Sequence, residues 1–257
     1  MSVSASKGSE HLFDYVLRLG DNDLVLSQRL AEWCGHGPIL EEDLAQTNVA
    51  LDLLGQAQLW LEYAGQIEGK GREADQLAFL RDAHDFRNLL LVEQENGDYA
   101  NTIARQFYFD AWHFFLLQAL RSSVDQGIRD ISEKSLKEVT YHLDRSSGWV
   151  IRLGDGTEES HTRMKRAIDA LWAFTGEMFE MDVIETGMMK QGIGCDLAAL
   201  RHPWLDHVSK TLQEATLGIP ADCWMQRGGK RGIHSERLGY ILAEMQFLQR
   251  AYPGAQW

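Results

Sequence analysis

Four carboxylates stand one to each of four helical stretches, on or near the apolar side: Glu32, Asp52, Asp110 and Glu138. Each has polar company about a turn away. Gln28 precedes Glu32, Asn48 and Gln56 bracket Asp52, Gln106 and His113 bracket Asp110, and Tyr141, His142 and Arg145 follow Glu138. Carboxylates and imidazoles projecting from facing helices are the ligand types that hold iron. The competing reading is plainer: an acid or histidine on a long helix is more often exposed or paired with a basic neighbour. If the acids converge without metal they need counter-charges, because effective desolvation costs several kcal/mol per ion. Arg29, Arg105 and Arg145 lie within a turn or two of them and are the candidates.

Proline placement says what must position these residues. Only Pro38, Pro203, Pro220 and Pro253 occur, so no proline interrupts a helix between Ile39 and His202. Apolar residues there recur at spacings of three and four, without strand-like alternation. The pattern predicts helices over 11–33, 41–67, 75–92, 99–124, 129–153, about 157–187, 204–217 and 235–251. The second carries Leu44, Leu51, Leu54 and Leu61 on its apolar side and stops at Gly69-Lys70-Gly71. Asp98 is the expected N-cap of the fourth, and Thr157 or Ser160 of the sixth. The eight tryptophans, Trp33, Trp60, Trp112, Trp149, Trp172, Trp204, Trp224 and Trp257, read mostly as core or interface aromatics.

In chain order the acids fit a ferritin-like scheme, in which two helices each give a Glu and two give Glu-x-x-His. The sequence reads Glu32; Asp52-Leu53-Leu54-Gly55; Asp110; Glu138-Val139-Thr140-Tyr141. All four carboxylate positions are acidic, but both histidine positions are lost, to Gly55 and Tyr141. Glycine offers no side-chain ligand, a neutral phenol is a poor one for ferrous iron, and two of the acids are the shorter Asp. His113 and His142 fall elsewhere in the scheme, at i+3 from Asp110 and i+4 from Glu138, where they could catch only a stray metal. The expectation is an all-α chain with a ferritin-like four-helix bundle core and additional helices. Residues 1–9 are expected to be a disordered tail and 10–257 a single domain, with no metal of its own.

Arg227-Gly228-Gly229-Lys230-Arg231-Gly232, followed by His234 and Arg237, concentrates positive charge in a chain of net charge −13 and pI near 5.1. Arg227, Lys230, Arg231 and Arg237 are candidates for a protein interface or for the phosphates of a CoA ester, against the plainer reading of a solvated loop. The spacing is not that of a Walker P-loop, and no nucleophile elbow or dinucleotide fingerprint is present. An acidic chain is not a general nucleic-acid or anionic-membrane binder. The longest uncharged apolar stretch, Ala111 to Leu120, is far short of the ~20 residues needed to span a bilayer. Cys34, Cys195 and Cys223 show no CxxC spacing, which fits a reduced, cytoplasmic protein.

Several segments together resemble the structural subunits of bacterial multicomponent phenylacetyl-CoA epoxidases. They are Leu17-Arg-Leu-Gly-Asp-Asn22, Leu26-Ser-Gln-Arg-Leu30 with Glu32-Trp-Cys-Gly-His36, Leu51-Asp-Leu-Leu-Gly-Gln-Ala57, and Asn88-Leu-Leu-Leu-Val-Glu-Gln94. Further on come Thr102-Ile-Ala-Arg-Gln106 with Asp110-Ala-Trp-His113, Gly228-Gly-Lys230, and Leu242-Ala-Glu-Met-Gln-Phe-Leu-Gln-Arg250. The resemblance implies a ferritin-like, non-catalytic subunit that pairs with a homologous catalytic subunit holding the di-iron centre. It also implies other oxygenase components, including a reductase that brings electrons from NADPH through FAD and an Fe–S cluster, and phenylacetyl-CoA as the substrate epoxidised. Two other readings stand beside it: a di-iron oxygenase or ferroxidase acting alone through an irregular ligand set, and a metal-free acyl-CoA-binding module.

Overall fold

Helix is the only regular structure among the residues described in the computed structural model, 2–255, with side chains from Gly8 onward. Helices make up 71% of it, so the all-α, ferritin-like class expected from the spacing is the one adopted. The expected tail, residues 1–9, and Trp257 fall largely or wholly outside the described side chains. No helix among the described residues is long and apolar enough to cross a membrane.

The chain divides into two compact units: residues 1–93 with 228–257, and residues 94–227. In the first, α1 (Ser2–Ala31) and α2 (Leu40–Glu68) pack along each other. They run antiparallel, since Ser9 Oγ near the start of α1 donates to the Ile67 carbonyl near the end of α2 at 3.2 Å. Gly20 permits the close approach: a Cβ there would lie 3.0 Å from Leu61 Cδ2 and 3.1 Å from Trp60 Cβ. The helix α2 ends where the sequence predicts, with Gly69 in the left-handed conformation at φ +67°. Three shorter helices complete the unit: α3 (Ala74–Phe79), α9 (Glu236–Met245) and α10 (Phe247–Ala251).

The expected helix over 75–92 does not form beyond Phe79. A 3-10 turn at Ala83–Asp85 and an irregular strap follow it. The cause is tertiary. Arg87 N donates to Asp21 Oδ2 at 2.8 Å and Leu89 N to Asn22 Oδ1 at 2.7 Å. Side chains of α1 thus take the place of the carbonyls a helix would supply.

In the second unit, α4 (Tyr99–Leu120) and α5 (Gln126–Gly154) form the long hairpin, capped by Asp98 on Asn101 N and by Asp125 on Ile128 N, both at 2.9 Å. The predicted sixth helix is two helices, α6 (Glu158–Trp172), capped by Thr157, and α7 (Val183–Lys190), with a 3-10 turn at Gly176–Phe179 between them. Asp182 starts α7 by accepting from Ile184 N and Glu185 N. The helix α8 (Leu197–Glu214) begins earlier than expected because Asp196 caps it, and Pro203 is carried inside it. Tyr108, Trp172, Phe179 and Trp204 form the aromatic centre of this unit. Trp204 Nε1 donates to the Tyr108 carbonyl at 3.0 Å, and the Trp172 and Trp204 rings stack at 5.7 Å.

The buried side of α2 is not the one that its leucines suggest. Leu61 is buried, but Leu44, Leu51 and Leu54 are 56%, 59% and 40% exposed. Val49, Leu53, Ala57, Trp60 and Ala64 face the core instead. Of the tryptophans, Trp60, Trp112, Trp172 and Trp204 are buried, Trp33 and Trp149 half-buried, and Trp224 exposed.

Candidate functional site

On the first unit, Glu32 lies just past the end of α1, exposed and held by Arg29 Nη1 at 2.9 Å. Arg29 also donates from Nε and Nη2 to the Glu93 carbonyl, so one guanidinium ties this helix end to the strap. Asp52 is half-buried on α2, and Gly55 is exposed with no atom within 4 Å of where a Cβ would sit. The missing histidine at 55 is therefore not a concession to crowding.

On the second unit the acid and base groups divide differently from the sequence scheme. Asp110 is fully buried on α4 and accepts from Gln106 Nε2 at 2.5 Å. Burial pushes its carboxyl up to about 6, against the charge of His142, hydrogen bonds from Ser146 and Gln106, and the charge of Arg145. His113 and His142 are buried too. Burial and the neighbouring His142 push His113 down to about 3, so its imidazole is neutral at physiological pH. Glu138 is half-buried, and Tyr141 is 51% exposed. The three groups drawn into the α4–α5 interior are thus Asp110, His113 and His142. Arg145 Nη2 donates to Tyr99 Oη at 3.2 Å, while Arg105 donates to the Gln94 carbonyl at 2.5 Å and to Asn96 Oδ1 at 2.7 Å.

Among the described residues, one group of three His, Cys, Asp or Glu side chains has ligand atoms within 4.8 Å of one another: Asp82, His84 and Asp85. It includes none of the expected metal positions, and Asp82 already takes both terminal nitrogens of Arg250 at 2.9 Å.

The boundary at which the chain divides falls within the basic run, between Arg227 and Gly228. Arg227 belongs to the second unit, exposed, 3.4 Å from Glu180 and over the Trp224 ring at 5.6 Å. Lys230 belongs to the first and is buried, Arg231 is exposed and Arg237 half-buried. Its glycines serve packing: a Cβ on Gly229 would lie 2.1 Å from the Asn88 carbonyl oxygen, and one on Gly232 would lie 2.2 Å from that of His84.

Sequence reasoning missed the polar frame of the first unit. Asp21, fully buried, takes both Arg81 nitrogens, Nη1 at 2.9 Å, and Arg81 lies over the Phe86 ring at 4.2 Å. Glu93, equally buried, accepts from Ser235 N at 2.8 Å and Asn88 Nδ2 at 3.2 Å. His234 Nδ1 faces Glu93 Oε2 at 2.9 Å and its Nε2 faces the Phe86 carbonyl at 3.0 Å. Both partners only accept, so an imidazolium, donating from both nitrogens, is the form that satisfies them. Burial opposes that charge, but the Glu93 and Phe86 hydrogen bonds and the charges of Glu93 and Asp21 outweigh it, and the His234 pKa is raised. Gln246 Nε2 donates to the Ala78 and Arg81 carbonyls, closing the frame. The partners are separated by dozens of residues in sequence, and no local pattern signals such pairs.

Much of what carried the resemblance is this frame: Asp21 and Asn22, Asn88 and Glu93, Gly229, Gln246 and Arg250. Over residues 2–257 the sequence matches the phenylacetic acid catabolic protein family, and the chain belongs to it. It is 53% identical over 243 residues to one of the subunits of the 1,2-phenylacetyl-CoA epoxidase of Escherichia coli (strain K12), an alignment covering 95% of this chain and 98% of that one.

Proposed function

We propose that this chain is the corresponding subunit of a phenylacetyl-CoA epoxidase and that its part there is structural. The observation that carries the first half is the 53% identity across nearly the whole of both chains. The second half rests on the residues present. Gly55 gives no donor, Tyr141 offers an exposed phenol, and Glu32 is engaged by Arg29. The donors do not fit a di-iron pair, so no chemical step is assigned to this chain. Residues 10–257 act in this reading as a single ferritin-like domain in the cytoplasm. The homologous catalytic subunit supplies the iron, and a reductase component supplies electrons from NADPH.

Reconstitution from separately purified subunits tests this. With the reductase, NADPH and phenylacetyl-CoA present, omitting this chain abolishes epoxide formation, and the chain alone makes none. Full turnover by the catalytic subunit without it refutes the structural role.

A further inference from the structure

One face of α2 is apolar and open. Leu40, Leu44, Leu51 and Leu54 are 71%, 56%, 59% and 40% exposed, and Ile39, just before the helix, is 53% exposed. A single exposed leucine is ordinary; four along one helix stripe are not. Their spacings of four, seven and three follow the seam of a two-helix contact, and the stripe runs about 21 Å. The core-facing residues Leu53, Ala57 and Trp60 lie on another side of the same helix, so the stripe is a second apolar face. Gly55, beside Leu51 and Leu54, leaves a low spot where a partner side chain can seat.

Charge says what kind of partner fits. From Leu40 to Glu68 the helix carries six acids, Glu41, Glu42, Asp43, Asp52, Glu62 and Glu68, and no Lys or Arg. Glu68 is neutralised by Arg72 and Lys70, and Asp43 is spent on the backbone of Gly35 and Gly37. Glu41 and Glu62 stay exposed towards the two ends of the stripe. A second copy of this chain would set two wholly acidic helices side by side, which repel. We propose that the Leu40–Leu54 stripe of α2 is the docking surface for another subunit of the epoxidase. That subunit presents an amphipathic helix with an apolar seam and Lys or Arg on its flanks. The inference rests on the functional reading above and adds the surface and the partner's chemistry.

The test uses the full chain carrying Leu44→Glu with Leu51→Glu, co-expressed with the other subunits and also purified alone. Both side chains are exposed, so the variant alone melts as wild type does. Its association with the complex weakens by roughly a hundredfold, because two charges would be buried against an apolar seam. Leu80→Glu and Val183→Glu, at exposed apolar positions elsewhere, associate normally. Glu41→Lys with Glu62→Lys slows association at low salt, and the deficit shrinks as salt rises. A complex that forms undiminished with the Leu44/Leu51 variant overturns the surface. A wild-type dimer that the variant converts to monomer overturns the partner in favour of a second copy. Wild-type chain that associates with no epoxidase subunit sinks the functional reading, and the inference with it.

Discussion

His234 offers the sharpest perturbation of the first unit. Its side chain is 4% exposed and that of Glu93 fully buried, and the imidazolium spans Glu93 and the Phe86 carbonyl. His234→Ala leaves Glu93 with its neutral donors, Ser235 N and Asn88 Nδ2, but without the cation, and strips the Phe86 carbonyl of this donor. Removing one member of a buried pair costs about 3–5 kcal/mol. In a chain of this size each kcal/mol moves Tm by about 2–4 °C, so a fall on the order of 10 °C is expected by calorimetry at pH 6.5. Adding Glu93→Gln to His234→Ala should recover part of the loss, since it removes the uncompensated charge. The sign with pH follows from the raised pKa. The folded state keeps a proton that the unfolded state has lost above about 6.5. The pair's contribution is whole below that pH and disappears as pH climbs through the raised folded value. Wild type therefore loses stability on the alkaline side, and His234→Ala loses less. A His234→Ala protein that melts within a degree of wild type, or shares its alkaline slope, refutes the imidazolium clamp.

Asp110 predicts a dependence of the same sign in a more acidic window. Its carboxyl is raised from 3.8 to about 6 by burial, so stability falls as pH rises through that interval. Asp110→Asn should remove the slope and gain up to ~3 kcal/mol above pH 6, which urea titrations at pH 4 and 7.5 would measure. Gly55 is an exposed mid-helix glycine with open space around it, so Gly55→Ala should stabilise by about 0.5–1 kcal/mol with an unchanged urea slope. Gly229→Ala should cost ~1–3 kcal/mol, because the added carbon meets the Asn88 carbonyl; an unaltered melting temperature would refute that packing role.

The helical class and the four long helices were legible from the three-four spacing and from the lack of proline between Ile39 and His202. Caps at Asp98 and Thr157 and the stop at Gly69 were legible from local chemistry alone. The strap after Phe79 was not. Its apolar residues have helical spacing, but Asp21 and Asn22, more than 60 residues away in sequence, capture its backbone. Nor was the facing of α2: leucines on two sides give no single apolar stripe, and composition cannot tell which side meets α1. At the candidate site, the order of the acids was readable, but Asp110 is buried while Tyr141 is exposed. That difference depends on helix rotation, which spacing defines only to within a neighbouring position. The basic loop looked like a surface patch because charge was visible and the packing of Lys230 and Gly229 was not.

The central claim, a structural subunit with no iron of its own, is tested most directly by elemental analysis. The chain should be expressed alone in iron-supplemented medium, then together with its partners, and assayed for iron per polypeptide. Trace iron is expected in the isolated chain, and stoichiometric iron only when the catalytic subunit is present. An iron pair bound to the isolated chain would contradict it.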